Sequence, residues 1–131
     1  MNEPYRIEPE DRTMVIINHL SPLLVWIFPA IPVGNVIGAL GAWLLTRDRS
    51  PVVDLQGKQV VNFQLSLTLY FFLFGLVFWT IGILTLGLGL LLLWPVWILW
   101  YLLQLIPMVL AVKATLEGYT YTYPLTIAFL K

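Results

Sequence analysis

The chain has no cysteine, one histidine, and only seven basic and seven acidic residues in 131. Without cysteine there are no disulfides, thiolate nucleophiles or zinc-finger sites. A net charge of zero with no basic cluster removes nucleic acid and any dedicated anionic-lipid headgroup as partners. The lone His19 has no Glu-x-x-His or His-x-x-x-His companion, so spacing supplies no metal site. A Gly-x-Ser-x-Gly elbow, a P-loop and carboxylates inside the apolar segments are also missing. The sequence thus presents no catalytic machinery, cofactor or identifiable small-molecule substrate, and proton-driven transport lacks its usual intramembrane acid. The first residues, MNEPYRIEPEDR, carry no basic stretch or small-residue cleavage site, so no cleaved signal peptide is expected.

What the chain has is apolar length. Hydrophobic residues make up 60% and charged residues 11%, with a mean hydropathy of +0.86. A soluble domain carries roughly 25% charge. The charges fall at residues 3–12, at 47–58 and at Lys113, Glu117 and Lys131, leaving Thr13 to Thr46 and Gln59 to Val112 uncharged. Each run exceeds the roughly 20 residues that cross a bilayer core.

Each run is also too long for one crossing and has a proline- or glycine-rich interruption without charge. Pro29, Pro32 and Gly34 break the first run, and Gly82, Gly87 and Gly89 break the second. The expected fold is therefore an all-α integral membrane protein with four transmembrane or partly spanning helices in two hairpins. Its parts are a cytoplasmic tail at 1–8, a hairpin at 9–46 turning near 29–34, a cytoplasmic loop at 47–59, a hairpin at 60–113 turning near 84–89, and a cytoplasmic or interfacial tail at 114–131. Pro9 is expected to open helix 1, which runs to Phe28, and Ser50-Pro51 reads as N-cap and first position of helix 3. Helix 4 is expected over Leu90 to Val112. Arg47, Arg49, Lys58 and Lys113 beside the membrane ends make the shared side of both termini cytoplasmic, in the inner membrane. The alternative is three crossings, with the first two segments as one kinked span.

Two groups of side chains are candidate sites. His19, Ser21, Asn62, Gln64 and Gln104 are polar at membrane depth and must find partners, as interhelical glue or along a wet path. Asp54, Gly57, Lys58, Lys113, Glu117 and Tyr123 form a candidate cytoplasmic interaction patch, in which Lys113 and Glu117 can pair or bridge to the 47–59 loop. Gly34, Gly38 and Ala42 recur every four residues and allow close helix approach, by plain packing or self-association. Most of the six tryptophans sit near expected helix ends as interfacial anchors. Trp94, Trp97 and Tyr101 share a helical face and make a candidate aromatic stripe. Tyr119 to Tyr123 alternates aromatic and threonine residues, which suggests an extended segment folding back at the headgroup level.

Four motifs occur in order: His19-Leu-Ser21, WLLTRDRSPVVDLQGK over 43–58, Asn62-Phe63-Gln64, and Lys113-Ala-x-x-Glu117-Gly118 leading to Tyr123-Pro124-Leu-Thr-Ile. On these the chain resembles small bacterial membrane proteins related to the chloroplast inner-envelope translocon subunit Tic-twenty, and magnetosome membrane proteins are similar to the same group. Gln56, Gln59, Thr122 and Ala128 replace residues that are often charged or histidine in that pattern. The resemblance implies a four-helix fold and a place in a protein-translocating or assembling complex. The sequence expectation is accordingly a non-enzymatic membrane subunit that contacts a protein partner or itself, with a small channel or carrier as the alternative.

Overall fold

The computed structural model describes residues 6–30 and 33–131, and there the chain is helical apart from turns, residues 6–11 and the C-terminal tail. Residues 1–5 of the expected N-terminal tail, and Ile31 and Pro32 of the expected 29–34 turn, lie outside the described residues. The helices are α1 (Arg12–Leu20), a 3-10 turn (Ser21–Leu23), α2 (Leu24–Ile27), α3 (Gly34–Thr46), α4 (Pro51–Leu84), α5 (Leu88–Leu92) and α6 (Trp94–Leu116). Two of them, α4 and α6, are long and apolar enough to cross a membrane.

Local chemistry explains the ends. Ser50 is extended and its hydroxyl accepts from the Val53 N–H at 3.3 Å, with Pro51 entering α4 at a position whose missing N–H has no intrahelical partner to lose. At the far end, Gly87 N–H returns to the Gly82 carbonyl at 2.7 Å, and left-handed backbone at Leu86 and Gly87 reverses the chain. The end of α6 has the same design. Tyr119 N–H reaches the Ala114 carbonyl at 2.9 Å and Gly118, at φ +88°, supplies the left-handed step.

Helix 1 is shorter than the sequence implies. It starts at Arg12, because residues 9–11 form a turn, and it tightens into the 3-10 turn at Ser21. Pro22 has no N–H for the Asn18 carbonyl, and the Ser21 hydroxyl takes that carbonyl instead at 2.7 Å. Helix 4 divides at Leu93, ahead of Pro95, and α6 runs on to Leu116.

The first hairpin packs on the proximal part of α4. Gly38 lies on the 3-10 turn so closely that a Cβ would collide with the Ser21 carbonyl oxygen, and Gly34 faces Val25. Two of the small residues spaced by four thus serve packing within the hairpin. At 1.5 Å per residue, Arg12–Ile27 measures about 24 Å and α3 about 20 Å, against about 51 Å for α4. The second hairpin therefore overhangs the first. From Phe71 outward α4 is mostly exposed and apolar, as are α5 and the start of α6. The packed core, with Trp43, Val60, Phe63, Leu67, Ala111 and Tyr123, sits towards the other end, near the charged residues.

Candidate functional site

Buried polar side chains line the proximal half of α4: Gln56, Asn62, Gln64 and Ser66 are each at most 4% exposed. They fall on α4 because the apolar pattern is interrupted there by amides and a hydroxyl, and the C-terminal tail supplies most of their partners. Gln56 holds Tyr121 at both backbone groups, accepting its N–H at 2.9 Å and donating to its carbonyl at 3.2 Å. Asn62 does the same for Leu130, at 2.8 and 2.9 Å. Ser66 accepts the Ile127 N–H at 2.8 Å, and the Tyr70 hydroxyl donates to the Leu125 carbonyl at 2.8 Å. An irregular segment beside an apolar helix needs partners for its backbone, and this ladder provides them.

The tail turns at Pro124 and Leu125, where Leu125 takes a positive φ of 56°. Tyr123 anchors it. Its ring stacks on Phe63 at 4.6 Å between centroids, and its hydroxyl lies 2.8 Å from His19 Nδ1. Burial pushes the Tyr123 phenol well above its ordinary pKa, and neighbouring Tyr121 adds to this, so it stays protonated. The other ring nitrogen of His19 is buried without a hydrogen-bond partner among the described residues.

Gln64 belongs to a different contact, accepting from Asn35 Nδ2 at 2.9 Å and so tying α3 of the first hairpin to α4. Ser21 serves the helix break. Gln104 lines a cavity between α2, α4 and α6, as do Trp97 and Tyr101 of the aromatic stripe, while the third stripe residue, Trp94, is not part of its lining. The five polar candidates therefore divide among separate contacts.

At the charged end, Asp54 sits between Lys58 Nζ at 2.7 Å and the Trp43 indole N–H at 2.8 Å. Burial pushes the Asp54 carboxyl up, but these two donors, with the charges of Lys58 and Arg47, outweigh it and leave the group below its ordinary value. Gly57 is buried against Trp43. Lys113 and Glu117 are exposed, and neither makes an ion pair among the described residues. The expected bridge from Lys113 and Glu117 to the loop is thus not formed there. The end of α6 meets the N-terminal segment instead: Ile7 N–H donates to the Gly118 carbonyl at 2.7 Å and Arg12 to the Leu116 carbonyl at 3.2 Å. Asp11 reaches Arg49 at 3.4 Å, joining that segment to the turn before α4.

Sequence reading singles out Asn62 and Tyr123 but not Gln56 and Tyr70, which complete the ladder with Ser66. Their spacing is a signal: Gln56, Asn62/Phe63, Ser66 and Tyr70 recur at three- to seven-residue intervals on one side of a helix.

No group of three or more potential metal ligands occurs among the described residues. Searches of curated proteins and of solved structures give no match. A family model, by contrast, matches residues 10–130. With that match over nearly the whole chain, and two helices apolar and long enough to span a bilayer, the protein is a membrane protein belonging to the magnetosome magnetite crystal formation protein family.

Proposed function

We propose that this chain is a non-enzymatic scaffold in a membrane where magnetite forms, with four helical segments in two hairpins and both ends on the cytoplasmic face of the inner membrane. The carrying observation is how its polar groups are used. Gln56, Asn62, Ser66 and Tyr70 of α4 are spent on holding the protein's own tail. Such a protein offers shape and surface more than chemistry. Its distal apolar hairpin enters lipid, and its short first hairpin enters part-way. The charged end, bearing Lys113, Glu117 and the Asp54–Lys58 pair, is left to meet a partner protein or a second copy. The family description supports the link to magnetite formation. An assembling role, as in the translocon relatives the motifs resemble, fits the same surface.

A channel past His19, Asn62, Gln64 and Gln104 has less behind it, because the first three are committed to Tyr123, Leu130 and Asn35. The deciding experiment is native mass measurement of the chain purified from its own cells in mild detergent. A defined assembly, with itself or with a second protein, is expected. A monomer that conducts ions or solutes in liposomes would overturn the scaffold reading.

A further inference from the structure

The gap between α2, α4 and α6 holds a cavity of about 630 Å³, within the range of roughly 300–1,000 Å³ typical of small-molecule sites. It is built by the fold. Helix α1 packs against both α4 and α6, and the long helices face each other through aromatic rings, with Phe71 at 6.2 Å from Trp97 and 5.9 Å from Trp100. Asn35 donates to Gln64 and holds the start of α3 beside α4 at this level.

The lining combines aromatic faces, including Trp26, Phe71, Trp97 and Trp100, with the uncharged polar groups of Asn35, Thr68 and Gln104, of which Asn35 is already bound to Gln64. The Gln104 side chain makes no hydrogen bond among the described residues. Gln104 stands nine residues before Lys113 and Thr68 ten after Lys58, so both lie about 14–15 Å along their helices from the charged end. That depth is below a phospholipid headgroup.

These facts narrow the occupant. A charged group would meet no counter-charge in this lining and would lose its hydration. A saturated chain would fill volume but leave the Gln104 amide unanswered where water is scarce. A neutral ring bearing carbonyl oxygens answers both demands, with flat faces for the indoles and an acceptor for the amide N–H. We propose that the cavity binds an uncharged, carbonyl-bearing ring amphiphile of the quinone class, its ring between the α4 and α6 aromatics and its hydrocarbon tail leaving towards lipid. This site is independent of the scaffold reading.

The test uses the full chain in phosphatidylcholine nanodiscs and two probes of similar shape, decylubiquinone and decylcyclohexane, which lacks the carbonyls. Saturable decylubiquinone binding is expected, weakened at least tenfold by Gln104→Leu and unchanged by Gly75→Ala, a site with open space around it. Decylcyclohexane binding just as tightly would overturn the proposal by showing an apolar filler only, as would no saturable binding or no effect of Gln104→Leu. Should Gln104→Leu fail to fold, a photoreactive azidobenzoquinone with a decyl tail decides on the unaltered chain. An adduct within 67–72 or 97–104 supports the site, and labelling confined to segments outside the lining overturns it.

Discussion

Asn62 clasps Leu130 by both backbone groups, with Oδ1 accepting the N–H at 2.8 Å and Nδ2 donating to the carbonyl at 2.9 Å. A side-chain amide here takes the place a neighbouring strand would fill, which lets an irregular tail lie on a helix without orphaned polar groups. Asn62→Leu leaves both Leu130 groups without that partner, each costing about 1–3 kcal/mol where water is excluded. Leu130 is only half-buried, so a total of about 2 kcal/mol is expected, or roughly thirty-fold faster amide exchange at Leu130 and Ile127. Exchange in Asn62→Leu equal to the parent's would show that the clasp does not hold the tail.

The second anchor is the His19–Tyr123 bond of 2.8 Å, which joins positions 104 apart in sequence. Tyr123→Phe keeps the stack on Phe63 but leaves both ring nitrogens of His19 without a partner among the described residues. A loss of about 1–3 kcal/mol in thermal unfolding is expected. Replacing both partners removes the stranded polar groups together, so His19→Leu with Tyr123→Phe should cost less than the sum of the single changes, by about 1 kcal/mol. Strict additivity would mean the two groups do not interact.

These two contacts also mark the limit of sequence reading. Membrane class and helical content follow from properties that are local or summed over the chain: charge-free runs, a Ser-Pro cap and glycines beyond helix ends. Asn62 and His19 stand out because amides and imidazoles are costly in apolar surroundings, but which group answers them depends on a tail some 70 to 100 residues away. Nothing in the spacing reveals that Gln56 pairs with Tyr121. The 3-10 turn is hidden for a different reason. Ser21-Pro22 is compatible with a kinked helix, and Gly38 pressed on the Ser21 carbonyl accompanies the tighter turn. The cavity is lined from α2, α3, α4 and α6 together, a tertiary fact.

Asp54 gives a pH dependence of definite sign. Its carboxyl sits below the ordinary value of 3.8 in the folded protein, burial being outweighed by Lys58 and Trp43. The unfolded chain therefore binds this proton more readily, and the contribution to stability is complete above about pH 4 and drains away as pH falls through the folded value. Asp54 and Lys58 side chains are 30% and 26% exposed, which keeps the effect to about 1 kcal/mol or less. Asp54→Asn should flatten the acid limb of a stability curve by that amount. A limb unchanged in the variant would assign the acid loss to other carboxylates.

Gly57 allows the sign of a substitution to be decided from geometry. Alanine for glycine inside a helix ordinarily gains about 0.5–1 kcal/mol. At Gly57, however, a Cβ would stand 2.5 Å from Trp43 Cδ1 and 3.1 Å from Asn18 Oδ1. Trp43 has little room to yield, because it is only 8% exposed and its indole N–H is bound to Asp54 at 2.8 Å. Overpacking of this kind costs about 1–3 kcal/mol, which exceeds the helix gain, so Gly57→Ala should lower the melting temperature in detergent. Gly41→Ala, in the interior of α3 with nothing within 4 Å of the new methyl, should be neutral or raise it. The paired comparison separates the two effects because both positions are helical and both changes add one methyl. A rise at Gly57 matching that at Gly41 would mean that Trp43 moves freely, and the joint between the first hairpin and α4 would then have to rest on other contacts.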